Sequence, residues 1–176
     1  MAENENKYER TSFIEKKMEE LGIKIPELAP PVASYIPGIK DGNHIYTSGQ
    51  IPLVEGKLVY EGHAGGECSP EDAYQAARIC VLNCLAVVKD LVGGDLERVE
   101  QIVKITGFVS SAPGFYGQSQ VINGASDLME QLFAERGAHT RSAVGVYALP
   151  LNAPVEIEMI VSVKESRRQA YVTALR

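Results

Sequence analysis

A chain of 176 residues, 45% apolar and 23% charged, has the size and balance of one soluble globular domain with a sizeable core. Its net charge of -6 and its lack of a basic stripe argue against a nucleic-acid binder; the only basic cluster is Lys164 with Arg167 and Arg168. No apolar run approaches the roughly 20 residues that cross a bilayer, and the acidic, polar start MAENENKYER is unlike a secretory signal.

In chain order, residues 1 to about 7 are expected to be disordered and residues 8–21 to be helical, stopped by Gly22. Ile14, Met18 and Leu21 make a narrow apolar stripe, so this helix should dock on something. Prolines from Ile25-Pro26 to Pro30-Pro31 rule out helix or central strand and predict an extended connector. Asp41-Gly42-Asn43 between two apolar runs predicts a hairpin whose second strand begins His44-Ile45-Tyr46-Thr47-Ser48-Gly49. Glu55-Gly56-Lys57 marks a further turn, between residues 51–54 and 58–60.

Ser69-Pro70-Glu71-Asp72 is a helix start: a serine cap, proline at the first position and acids in the first turn. Ala73, Ala77, Cys80, Cys84, Val87 and Leu91 then share one face, and Gly93-Gly94 ends the helix. Residues 98–110 read as a strand with Val103, Ile105, Gly107 and Val109 on one side. After a loop at Ser111-Ala112-Pro113-Gly114, a second long helix is predicted over 118–136. Val121, Ala125, Leu128, Leu132 and Phe133 are its core stripe and Gly137 its stop. Residues 166–176 read as a polar, helical or frayed tail.

Between that helix and the tail lies the most strand-like stretch of the chain, His139 to Val163. In its first run Val144 and Val146 face one way and Arg141, Ala143, Gly145 and Tyr147 the other. In its second, Val155, Ile157, Met159 and Val161 face one way and Glu156 and Glu158 the other. The order of elements predicts an α+β domain, a mainly antiparallel sheet with two long helices on one face. Ala143, Gly145, Tyr147 and Ile160 would lie on the other face, which is half apolar and so expects a partner.

The three cysteines, Cys68, Cys80 and Cys84, are an odd number. Cys80 and Cys84 sit among Ile79, Val81 and Leu85 on the first long helix, where buried thiols pack as small hydrophobes. His44, His63 and His139 show no ligand spacing, so no metal is expected. A reducing cytoplasm fits this cysteine usage.

The charges of the last two strands leave two readings open. An arginine at a strand start and glutamates on a solvated face need have no function. Alternatively they line a pocket, since arginine grips a carboxylate through two parallel hydrogen bonds and a nearby glutamate serves as a general base. A simple hairpin of the two strands would hold Arg141 and Glu156 roughly 20 Å apart. Either the connection is not a hairpin or a neighbouring subunit helps complete the site.

The run Arg141-Ser142-x-Val144-x-Val146-x-x-Leu149-Pro150, followed by Val155-Glu156-Ile157-Glu158-x-Ile160, resembles the C-terminal hallmark of the Rid family. These are YjgF-type reactive-intermediate deaminases, also called endoribonuclease L-PSP proteins. A second match stands upstream at Ile45-Tyr46-Thr47-Ser48-Gly49-Gln50-Ile51-Pro52. On this basis the chain divides into an N-terminal extension (1–30), a Rid-like domain (31–163) and a C-terminal tail (164–176).

The resemblance implies a chorismate-mutase-like fold, a homotrimer, and ligand clefts between subunits. It implies hydrolysis of unstable imines and enamines, such as 2-aminoacrylate, to a 2-oxo acid and ammonia, without a cofactor. Carried over by motif, Arg141 is the clamp for the substrate carboxylate and Glu156 the residue that activates water or shuttles protons. Ser48 and the Gly49 backbone border the same pocket, Tyr35 walls it, and Asn123 matches the family's pocket asparagine. Ala143 stands where the family often has cysteine, and Ser34 where it has proline. The competing reading is a non-catalytic binder of small carboxylate metabolites at the same clefts, for which Arg141 suffices. A nuclease is disfavoured by the acidic balance.

Overall fold

The computed structural model describes residues 12–28 and 35–164. The elements run α1 (Phe13–Leu21), β1 (Gly38–Asp41), β2 (His44–Thr47), β3 (Leu53–Val54), β4 (Lys57–Leu58), α2 (Pro70–Leu91), β5 (Val99–Ser110), α3 (Gln118–Phe133), β6 (Thr140–Val146) and β7 (Val155–Val163). Five strands form one sheet in the order β1-β2-β7-β5-β6, and β3-β4 is a separate small ribbon. The architecture is α+β, with α2 and α3 packed on one face of the sheet. Residues 1–11, 29–34 and 165–176 lie outside the described set, and with them the expected N-terminal disorder, part of the connector and the C-terminal tail.

Local chemistry explains most boundaries. Ser12 and Glu15 make a reciprocal capping box, so α1 begins at Phe13, and the predicted helical residues 8–11 lie outside the described set. The predicted stripe docks in part: Ile14 is buried and Met18 packs against the core, while Leu21 at the end of the helix is exposed. Ser69 caps α2 by accepting from the Asp72 N–H, with Pro70 in the first turn. Ala73, Ala77, Cys80, Cys84 and Val87 are all buried, as the helical period requires. The second long helix ends at Phe133, and a 3-10 turn over Ala134–Gly137 leads into β6.

The last two strands are not neighbours. β5 lies between them, pairing parallel with β6 and antiparallel with β7, so the sheet is mixed. The physical reason is connectivity: β5 and β6 are joined through α3, and a helical crossover returns the chain parallel. β7, with an apolar residue at every second position from Val155 to Val163, takes the central place where that side is fully buried.

The faces also differ from expectation on β6. Arg141, Ala143 and Gly145 register with Ile105, Gly107 and Val109, which face the helices. Val144 and Val146 therefore point to the open face, and Tyr147 lies beyond the strand. Gly145 lies close to the start of α3: a Cβ there would meet the Gln118 side-chain amide at 2.9 Å and Ser111 Oγ at 3.2 Å. On β5 the register shifts between Ile102 and Lys104, so Ile102 rather than Val103 enters the core. The open face is half apolar as anticipated, through the expected Ile160 but otherwise through Ile39, Tyr46, Phe108 and Val144, beside Lys104, Glu156 and Glu158.

Candidate functional site

The sheet leaves its ladder at one place that matters. At the end of β2, Thr47 turns its hydroxyl inward, where it accepts the Met159 N–H at 2.9 Å. Pairing resumes only at Gln50, which exchanges both backbone hydrogen bonds with Ile157. Ser48 and Gly49 thus form a bulge. The Ser48 hydroxyl donates to the Ile36 carbonyl at 2.7 Å and its N–H to the Pro37 carbonyl at 2.8 Å. This ties the bulge to the segment carrying Tyr35, whose ring is exposed.

The Glu156 carboxylate lies over that bulge. A Cβ on Gly49 would overlap Glu156 Oε1, so glycine is what permits the approach. Glu156 sits on the open face and is half-buried. Burial, and secondarily the charge of Glu158, pushes its carboxyl above the usual carboxylate range. From the other face, the Cys80 and Cys84 thiols of α2 donate to the carbonyls of Val155 and Ile157, at 3.5 and 3.3 Å. They bracket Glu156 in sequence and hold its backbone. Burial pushes the Cys84 thiol up to about 12, which fits a packing role and no nucleophilic one.

Arg141 belongs to a second group, on the helix face at the β6 edge. Its Nη1 donates to Asn123 Oδ1 at 2.8 Å and to Ser126 Oγ at 3.1 Å, both on α3. Among the described residues it has no carboxylate partner. The structure therefore brings Asn123 to Arg141, and Ser48 and Gly49 to Glu156.

It does not bring Arg141 to Glu156. Arg141 registers with Ile105 and Glu156 with Phe108, on opposite sides of β5. Three residues along the strand and two strand spacings across give about 14 Å between their Cα atoms. Their side chains also leave opposite faces of the sheet. No small molecule touches both within one chain. α1 covers neither the bulge nor Glu156: it packs by the Val99 end of β5, about 30 Å of strand from Phe108.

Two contributors were missed in the sequence, Ser126 and His139. Both had a signal in the spacing. Ser126 lies three residues after Asn123 and so shares its helix face, and His139 lies two before Arg141 and shares its strand side.

The model of the YjgF/chorismate mutase-like family matches residues 15–162. Among curated proteins, Protein TCP17 of Trypanosoma cruzi is 39% identical over 145 residues, 82% of this chain and 90% of that one. The 2-iminobutanoate/2-iminopropanoate deaminase of Dermatophagoides farinae is 31% identical over 142 residues, 81% of this chain and 95% of that one. A crystal structure of an Agrobacterium tumefaciens protein superposes with a TM-score of 0.81 at 41% identity, covering 86% of this chain and 93% of that one.

Proposed function

Because the chain belongs to the YjgF/chorismate mutase-like family, we propose that it is a deaminase of small 2-imino and 2-enamino acids, built as a homotrimer with its sites between subunits. The observation that carries this reading is the division of the site. A cationic half (Arg141, Asn123) and an acidic half (Glu156, Ser48, Gly49) are each built with care, yet they face away from one another within one chain. A second copy whose β6 edge meets the open face by the bulge joins them, and it covers the half-apolar sheet face as well.

In this reading Arg141 holds the substrate carboxylate, with Asn123 beside it, and Tyr35 walls the cleft. The raised pKa of Glu156 suits it to both hold and release a proton in the cycle. An enamine first takes a proton at carbon from the acid form of Glu156 and becomes the iminium. Glu156, now ionised, takes a proton from water as its oxygen attacks the C=N carbon. The nitrogen gains that proton, and the hydroxyl proton returns to Glu156 as the C=O bond forms and the C–N bond breaks. A 2-oxo acid and ammonia leave, with Glu156 again in its acid form. The Ser48 hydroxyl, whose proton goes to Ile36, offers lone pairs to the amino group.

The test generates 2-aminoacrylate or 2-iminobutanoate in situ with a PLP-dependent dehydratase or an amino-acid oxidase and follows 2-oxo acid release. Arg141→Ala and Glu156→Ala should each abolish the acceleration. Mixing the two inactive variants under subunit exchange should restore it at about a quarter of the sites, by random pairing across interfaces. No recovery in a verified mixed oligomer would place the whole site in one chain and defeat the shared-site reading. No acceleration by the unmutated protein with any of these imines would leave a carboxylate-binding protein.

A further inference from the structure

Ser126 and His139 form one chain of hydrogen bonds that ends on Arg141. His139 Nδ1 lies 2.6 Å from the Gly137 carbonyl oxygen. A carbonyl only accepts, so Nδ1 carries the proton, and in the neutral ring Nε2 is an acceptor. Ser126 Oγ, 2.9 Å from Nε2, therefore donates its single proton to the ring. That leaves its lone pairs for Arg141 Nη1, 3.1 Å away, while Asn123 Oδ1 takes the other Nη1 proton at 2.8 Å. Both protons of Nη1 are thus committed to α3. Among the described residues Nε and Nη2 have no hydrogen-bond partner. Those two atoms form the edge of a guanidinium that takes a carboxylate by two parallel hydrogen bonds.

We propose that His139, acting through Ser126, is a positioning residue that orients Arg141 for a planar carboxylate. The proposal rests on reading Arg141 as the group that grips the substrate carboxylate. Without an acceptor at Nε2, the Ser126 hydroxyl is free to turn its proton toward the guanidinium. Nη1 then loses a partner, and the Nε/Nη2 edge is no longer held in one plane. His139 and Ser126 are both only half-buried, so replacing them costs little packing. The effect should fall on ligand orientation rather than on folding.

The test is calorimetric titration of the full chain with 2-oxobutanoate, a carboxylate of the product class, and with neutral 2-oxobutanamide as control. His139→Phe and Ser126→Ala should each weaken 2-oxobutanoate binding about tenfold and leave the amide unaffected. His139→Gln, whose amide oxygen reaches the place of Nε2, should bind within about twofold of the unmutated protein. In turnover the same variants should raise KM with little change in kcat, because the grip is present in ground and transition states alike.

Unchanged 2-oxobutanoate affinity in Ser126→Ala or His139→Phe, with binding lost in Arg141→Ala, would overturn the positioning role alone. Equal weakening by His139→Gln and His139→Phe, or an equal loss for the amide, would mark general distortion and also overturn it. If Arg141→Ala binds 2-oxobutanoate as well as the unmutated protein does, the carboxylate-clamp reading itself fails.

Discussion

Gly49→Ala separates the chemistry of the site from the stability of the fold. The backbone at Gly49 is not in the left-handed region, so alanine is conformationally acceptable there. The new Cβ would overlap Glu156 Oε1 and lie 2.8 Å from Cδ and 3.1 Å from Cγ of the same side chain. Those are its three nearest neighbours, all in one flexible carboxylate arm. Relief therefore comes from Glu156 leaving its rotamer, at a cost of about 0.5–1.5 kcal/mol. The melting temperature should fall by only a few degrees.

Activity should fall much further. A positioned general base contributes about 100-fold or more, and displacing it forfeits about 2.7 kcal/mol of barrier lowering. In the coupled imine assay Gly49→Ala should resemble Glu156→Ala. The double variant should be no worse than either single one, because both remove one group. Imine turnover at the unmutated rate in folded Gly49→Ala would show that Glu156 is not required where the structure places it. Global unfolding of the variant would show that the clash is not relieved by Glu156.

Further outcomes are open to direct measurement. Glu156 has a raised carboxyl pKa in the fold, so its ionisation opposes folding as pH climbs from the unfolded value through the folded one. Glu156→Gln should accordingly raise the melting temperature at neutral pH, and the gain should vanish below the ordinary carboxylate range. At Glu97, burial works to raise the pKa, but bonds from the Ile14 N–H at 2.8 Å and Arg136 at 3.1 Å prevail and hold it low. Glu97→Gln should destabilise at neutral pH, with the difference closing as acid titrates Glu97 through its lowered value. A Cβ on Gly124 would meet the backbone carbonyl of Tyr74, which cannot step aside. Gly124→Ala should force α2 and α3 apart and cost about 1–3 kcal/mol in chemical denaturation. All three thiols are buried, and burial pushes Cys68 up to about 11 and Cys84 up to about 12. A thiol reagent at neutral pH should label them only as fast as the protein unfolds.

The sequence by itself determined what local chemistry and periodicity control. Ser69-Pro70 and Gly93-Gly94 bound α2, the apolar alternation from Val155 to Val161 marks a strand, and Asp41-Gly42 closes the first hairpin. The motifs around Gly49, Arg141 and Glu156 named the residues that the structure then sorts into two groups. Only the tertiary structure decided how those groups stand to each other. Alternation within β6 says that Arg141 and Val144 differ in side, but not which side meets α3. That depends on β5 standing between β6 and β7, a pairing made between residues far apart in the chain. The bulge at Ser48-Gly49 and the slip at Ile102 were equally hidden, because each depends on a partner strand and not on the strand's own pattern. The Ser126–His139 relay comes from a helix and a strand meeting at one edge. Propensity and period are properties of a segment, whereas register, facing and hydrogen-bond partners are properties of a pair.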